Sequence, residues 1–223
     1  MKQLTLGISS LAALIATAAA VRFGGWAVVN VENPPEYLVA GRPTELRFMV
    51  RQHAVTVLSD LAPVVIARSG SARIESRASR TPNGGYRAEL TVPRAGEWRV
   101  EIESGFGPSK GMLLPLKALT STDPLPAPLP DAERGRVYFA AKACVNCHVH
   151  GDIDLRGAMS DFGPELTNRR FAPQYLALFL ADPSIKPQDG DKPRMPNPNL
   201  RPADIAPLIA FINAERRTAE TRR

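Results

Sequence analysis

Residues 120–130 read Thr-Ser-Thr-Asp-Pro-Leu-Pro-Ala-Pro-Leu-Pro, and the hydrophobic pattern changes period across them. Proline fixes φ and donates no N–H, so this alternation excludes both helix and sheet interior. It favours an extended, semi-rigid polyproline spacer. Before it, apolar and polar side chains alternate with period two; after it, apolar residues recur at helical spacing. The reading is a two-module chain: residues 21–119, a linker at 120–130, and residues 131–223.

In the first module, Leu46, Phe48 and Val50 share one face, as do Tyr86, Ala88, Leu90 and Val92, and Trp98, Val100 and Ile102. Turn signals at Asn33-Pro34-Pro35, Pro82-Asn83-Gly84-Gly85 and Pro93-Arg94-Ala95-Gly96 separate the runs. About seven short strands over a hundred residues predict an antiparallel sandwich. The Gly-Tyr…Ala-Gly-Glu-Trp stretch within residues 26–106 resembles small exported immunoglobulin-like domains of the YtkA/FixH type. A sandwich supplies no function by itself.

In the second module Asp131 is a candidate N-cap for a helix carrying Val137, Tyr138, Phe139 and Ala141. A second helix is expected within Pro173–Leu180 and a third over Pro202–Arg216, with Ile205, Leu208, Ile209, Phe211 and Ile212 on its apolar side. Three such helices leave little core of their own, which implies a filler in the middle.

The first residues, Met1-Lys2-Gln3 followed by an apolar run from Leu4 to Ala20, read as a secretory signal with cleavage near Ala20–Val21. The alternative is an uncleaved membrane anchor. Either places the remaining chain outside the cytoplasm, in the periplasm of a bacterium. The net charge of +6 is spread over both modules without a long basic run, so a nucleic-acid partner is not expected. Two cysteines are too few for a disulfide scaffold.

Both cysteines lie in Cys144-Val145-Asn146-Cys147-His148. Cys-x-x-Cys-His is the attachment pattern of c-type haem. Two sulfurs about one helical turn apart can each bond one vinyl group of a porphyrin, and the next residue offers an imidazole to the iron. Three rival chemistries are weaker. A redox dithiol calls for a βαβ context that is missing. A zinc site would need a fourth ligand, from His150 or His53, at poor spacing. A disulfide across two residues would contribute little.

Residues 131–216 resemble a class I monohaem cytochrome c. The resemblance rests on Gly135 and Phe139 before the motif, Gly163-Pro164 and Leu166 after it, Met195-Pro196 before the last helix, and Phe211 within it. It implies an all-α cytochrome c fold behind the all-β immunoglobulin-like sandwich. It implies one covalent haem c on Cys144 and Cys147, with His148 and Met195 as iron ligands and the Pro164 carbonyl as acceptor for the His148 ring. Phe211 stands where many members have Tyr. Phe162, Leu166, Phe171, Leu176 and Phe179 are candidates for the haem wall or for ordinary core.

Among other sulfur and nitrogen donors, Met159 is a weaker candidate for the second axial position than Met195. His150 reads as a surface histidine. His/Met ligation raises the potential and fills both axial positions, which favours one-electron transfer over catalysis. The expected partners are redox proteins such as an oxidase, reductase or dehydrogenase. Two alternatives stay open: a sensory or catalytic haem with Met195 off the iron, and a copper-handling sandwich using His53, Met49 and Met112.

Overall fold

The computed structural model describes residues 25–155, 162–187, 190 and 194–215. The signal-like segment at 1–20 and Met159 lie outside the described residues. The strands are β1 (Ala27–Val31), β2 (Leu38–Val39), β3 (Thr44–Gln52), β4 (Thr56–Val57), β5 (Val64–Ser69), β6 (Ala72–Arg77), β7 (Ser79–Arg80), β8 (Tyr86–Leu90), β9 (Gly96–Glu103), β10 (Lys110–Met112) and β11 (Leu116–Leu119). The helices are α1 (Asp131–Ala141), α2 (Pro173–Ala181) and α3 (Pro202–Ile212), with one-turn 3₁₀ segments at Cys144–Asn146 and Pro183–Ile185.

The strands form two sheets, ordered β1-β3-β8-β7 with β4 beside β3, and β2-β11-β9-β5-β6 with β10 beside β9. The chain crosses between sheets in the manner of an immunoglobulin-type sandwich. The alternating residues of β3, β8 and β9 turn inward together. Leu46, Phe48, Val50, Tyr86, Leu90, Trp98, Val100 and Ile102 are all buried in one core. Its two large amphipathic side chains have their polar ends satisfied. The Tyr86 hydroxyl donates to the Leu58 carbonyl at 2.8 Å and accepts from the Leu61 N–H at 2.9 Å. The Trp98 indole donates to the Arg94 carbonyl at 3.1 Å.

The second module does not have the expected all-α cytochrome c fold. Among the described residues the protein is mostly β, with eleven strands and only three helices of 9 to 11 residues. The stretch from Asp182 to Arg201 shows the cause. At the described positions Pro183, Pro187, Pro196 and Pro198 each remove a backbone donor, and the one helical segment described among them is the single turn Pro183–Ile185.

Helix boundaries also differ from those expected. Asp131 begins α1 as its first residue instead of capping it, and Pro130 takes the cap position. Helix α3 stops at Ile212, short of Arg216, and carries Pro207 inside it.

Helix α1 crosses α3 at Gly135, where an added Cβ would overlap the Pro207 carbonyl. Phe139 meets Phe211 edge-on at 5.5 Å, one turn further along. Around them Ile153, Leu166, Leu176, Leu180 and Leu208 form a second core. The two cores are not isolated. Leu114, just after β10, belongs to the second, and Ala141, at the end of α1, belongs to the first. The 120–130 segment runs exposed between them as a coil, but α1 is docked on the sandwich. Arg134 bonds Glu36 at 3.1 Å, and Lys142 Nζ donates to the Glu32 carbonyl at 2.6 Å.

Candidate functional site

Helix α1 ends where Ala143 takes a left-handed conformation, φ 65°. A non-glycine residue there costs about 1 kcal/mol, and the turn it makes redirects the chain into the Cys144–Asn146 segment. The Cys147 and His148 N–H groups both donate to the Cys144 carbonyl, at 3.2 and 2.9 Å. One tight turn therefore carries both thiols and the imidazole. The cysteines are unpaired with each other. Burial pushes the Cys144 thiol up to about 12, with Cys147 adding to the effect, and burial raises Cys147 as well. Reactive redox dithiols have lowered values, so this pair lacks that character.

His148 is oriented by the loop after it. Its Nδ1 lies 2.9 Å from the Pro164 carbonyl, which can only accept, so Nδ1 carries the proton and Nε2 is left with its lone pair. Burial lowers the imidazole from its ordinary value, against the opposing effect of the Pro164 acceptor. Gly163 closes the cradle. Its N–H donates to the Cys147 carbonyl at 2.7 Å. A Cβ on it would overlap the His148 ring. Only glycine lets the backbone pass this close to the imidazole.

Met195 is partly buried and packs against the second core. It lines a cavity of about 420 Å³ that Cys147 and Phe162 also line. That size falls within the range of small-molecule sites. Phe162 is exposed, whereas Leu166 and Leu176 are buried and Phe171 and Phe179 are partly buried in the second core.

His150 departs from expectation. It is no surface residue but 3% exposed, its ring tilted 36° to that of Phe211 at 4.2 Å and edge-on to Phe139. Its Nδ1 accepts from the Asp152 N–H. The position two residues beyond His148 turns back under the α1–α3 crossing, which periodicity could not reveal. His53 packs edge-on to Trp26, whereas Met49 abuts Gly85. Among the described residues no group of three or more His, Cys, Asp or Glu is placed to hold a metal ion.

Sequence reasoning missed the polar contacts that join the sandwich to this site. Asn30 donates to the Lys142 carbonyl at 3.4 Å and to the Pro198 carbonyl at 3.2 Å. Lys142 and Asp204 form a buried ion pair at 3.0 Å. One signal was present: Asn30 is the lone polar residue in the run Ala27-Val28-Val29-Asn30-Val31.

No family model matches the chain, and no curated protein matches it. Among solved structures, the PKD domain of the human VPS10 domain-containing receptor SorCS2 is similar over 56% of this chain and all of its own, at 11% identity and a TM-score of 0.28. A conjugative transposon lipoprotein from Bacteroides eggerthii is similar over 41% of this chain and 95% of its own, at 15% identity and a TM-score of 0.24. Both scores are too low to assign a shared fold.

Proposed function

We propose that this protein is a one-electron carrier holding one covalent haem c. Cys144 and Cys147 would fasten the porphyrin, and His148 and Met195 would take the two axial positions. The observation that carries this reading is the pairing of Cys-x-x-Cys-His with a His148 ring whose Nδ1 is engaged by Pro164 and whose Nε2 keeps its lone pair. A carbonyl behind a ligating histidine is the usual way a protein fixes its tautomer. The Gly163 cradle and the thioether on the neighbouring cavity fit the same group. When bound, such a haem cycles between ferric and ferrous iron.

The chain's own residues hold and orient the cofactor and shield it. His148 and Met195 together would leave the iron no open position for a small molecule, which favours a carrier over an enzyme. Its encounters with an oxidase, reductase or dehydrogenase would be small and brief. The apolar run at Leu4–Ala20 supports export to a bacterial periplasm, with membrane association if that segment is retained.

Spectroelectrochemical titration of protein matured in a host that attaches c-type haem tests the reading. The expected result is one reversible one-electron wave, shifted to lower potential by Met195→Ala and unchanged by Met159→Leu. A protein with no haem optical bands contradicts it.

A further inference from the structure

Strand β1 is an edge strand: it pairs with β3 only, and beyond that pairing it meets β10 of the sandwich and α1 of the second module. Its side chains alternate between faces. Val29 and Val31 enter the sandwich core. Val28 and Asn30 point the other way, yet Val28 is only 6% exposed, so that face is covered.

Asn30 has two amide hydrogens and sends them to two carbonyls far apart in sequence. One belongs to Lys142, two residues before Cys144; the other belongs to Pro198, three residues after Met195. A single side chain of the sandwich thus ties the start of the cysteine turn to the loop bearing the thioether. Prolines 196 and 198 leave that loop few backbone donors, so an external donor has unusual weight in placing it. Further contacts fix the sandwich beside it. Arg201 bonds Asn33, and Lys142 bonds the Glu32 carbonyl.

The cavity is built from both modules as well. Trp26, His53 and Val55 of the sandwich line it opposite Cys147, Phe162 and Met195. The β3–β4 turn presents this wall with His53 and Ala54 both at positive φ, 51° and 60°. Such conformations persist only where surrounding structure holds them. Trp26 stands edge-on to His53 at 5.7 Å, closing the wall.

We infer that the sandwich completes the cofactor site: Asn30 is a positioning residue for Met195, and Trp26 with His53 supplies the sandwich side of the cavity. This inference rests on the proposed haem. It assigns the sandwich a part in ligation, beyond that of a tethered companion domain.

The test uses full-length, haem-loaded protein with Asn30→Ala, Asn30→Ser and, as a control in the exposed linker, Leu125→Ala. Haem content is read by mass. Ligation of Met195 is read by carbon monoxide binding to the ferrous form and by midpoint potential. Asn30→Ala is expected to keep its covalent haem, to bind carbon monoxide about tenfold more tightly, equivalent to about 1.4 kcal/mol, and to have a lower potential.

Asn30→Ser, which retains one donor, is expected to fall between Asn30→Ala and wild type, and it remains readable if the alanine variant does not fold. Fully loaded serine and alanine variants with wild-type carbon monoxide binding and potential overturn the inference. A wild-type protein without haem overturns the functional reading first, before any variant is compared.

Discussion

Lys142 Nζ stands 3.0 Å from Asp204 Oδ2, and the two side chains are 4% and 0% exposed. The pair joins the end of α1 to the first turn of α3 directly beneath β1. Lys142 also donates to the Glu32 carbonyl, and Asp204 accepts from the Arg201 backbone and guanidinium. Removing Lys142 takes away one of the two cations on Asp204 and leaves Arg201, whereas removing Asp204 leaves the buried Lys142 ammonium without its carboxylate. Lys142→Met is therefore expected to destabilise the protein by about 1–3 kcal/mol, measured by denaturant unfolding. A loss below about 1 kcal/mol, the range of a surface pair, would contradict the buried arrangement.

The same carboxylate should make the fold acid-sensitive. Burial by itself would raise Asp204, but donors from Arg201 and Lys142 outweigh it and hold the carboxyl below the usual range. A group whose folded value is depressed stabilises fully above its unfolded value and loses that stability as pH falls through the folded one. Melting temperature is thus expected to drop below about pH 4, the ordinary Asp value. Asp204→Asn should start from lower stability and show a flatter acid limb. Parallel curves for the two proteins would sink this assignment.

Gly163→Ala probes the cradle around His148. A Cβ there overlaps the imidazole, so the ring or the loop must move, at a cost of about 1–3 kcal/mol for overpacking. The His148 Nδ1 proton, held by Pro164 at 2.9 Å, is expected to lose its slow-exchanging NMR signal. Wild-type stability with that proton retained would show that the loop does not press on the ring.

Much of the sandwich was legible because its strands are half-buried. Leu46, Phe48 and Val50 alternate with polar neighbours, and a period of two specifies which face turns inward. The helices of the second module were legible in place, and α1 and α2 to within a residue in extent, whereas α3 was not. Pro207 sits inside α3, and the chain leaves the helix after Ile212 despite continuing sequence that helix propensity favours. The fold class of that module failed for a physical reason. Local periodicity locates helices, but it does not reveal how they pack, and Leu114 of the preceding sandwich joins the same core.

The cysteine turn, His148 and Pro164 could be named from motif and resemblance, because both rest on short patterns local in the sequence. Asn30, Lys142, Asp204 and Trp26 could not. Their roles come from contacts between segments distant in the chain, and nothing in a local pattern encodes which carbonyl an asparagine will meet. His150 escaped for the same reason: only the α1–α3 crossing buries it between Phe139 and Phe211.

The proline segment suggested a tether, whereas the cores share an interface. A protease site inserted after Ser121 tests which description governs solution behaviour. Because Leu114, Ala141, Arg134 and Lys142 bridge the two sides, the cut halves are expected to co-elute in gel filtration and to separate only in denaturant. Independent elution under native conditions would contradict the docked arrangement.

Intact-mass measurement bears most directly on the cofactor reading. Protein matured in a host competent for c-type haem attachment is compared with a Cys144→Ser, Cys147→Ser double variant prepared alongside. The wild type is expected to carry the added mass of one haem that survives acidified organic extraction, and the double variant to return the polypeptide mass alone. A wild-type protein at the bare polypeptide mass would contradict the haem-carrier reading outright.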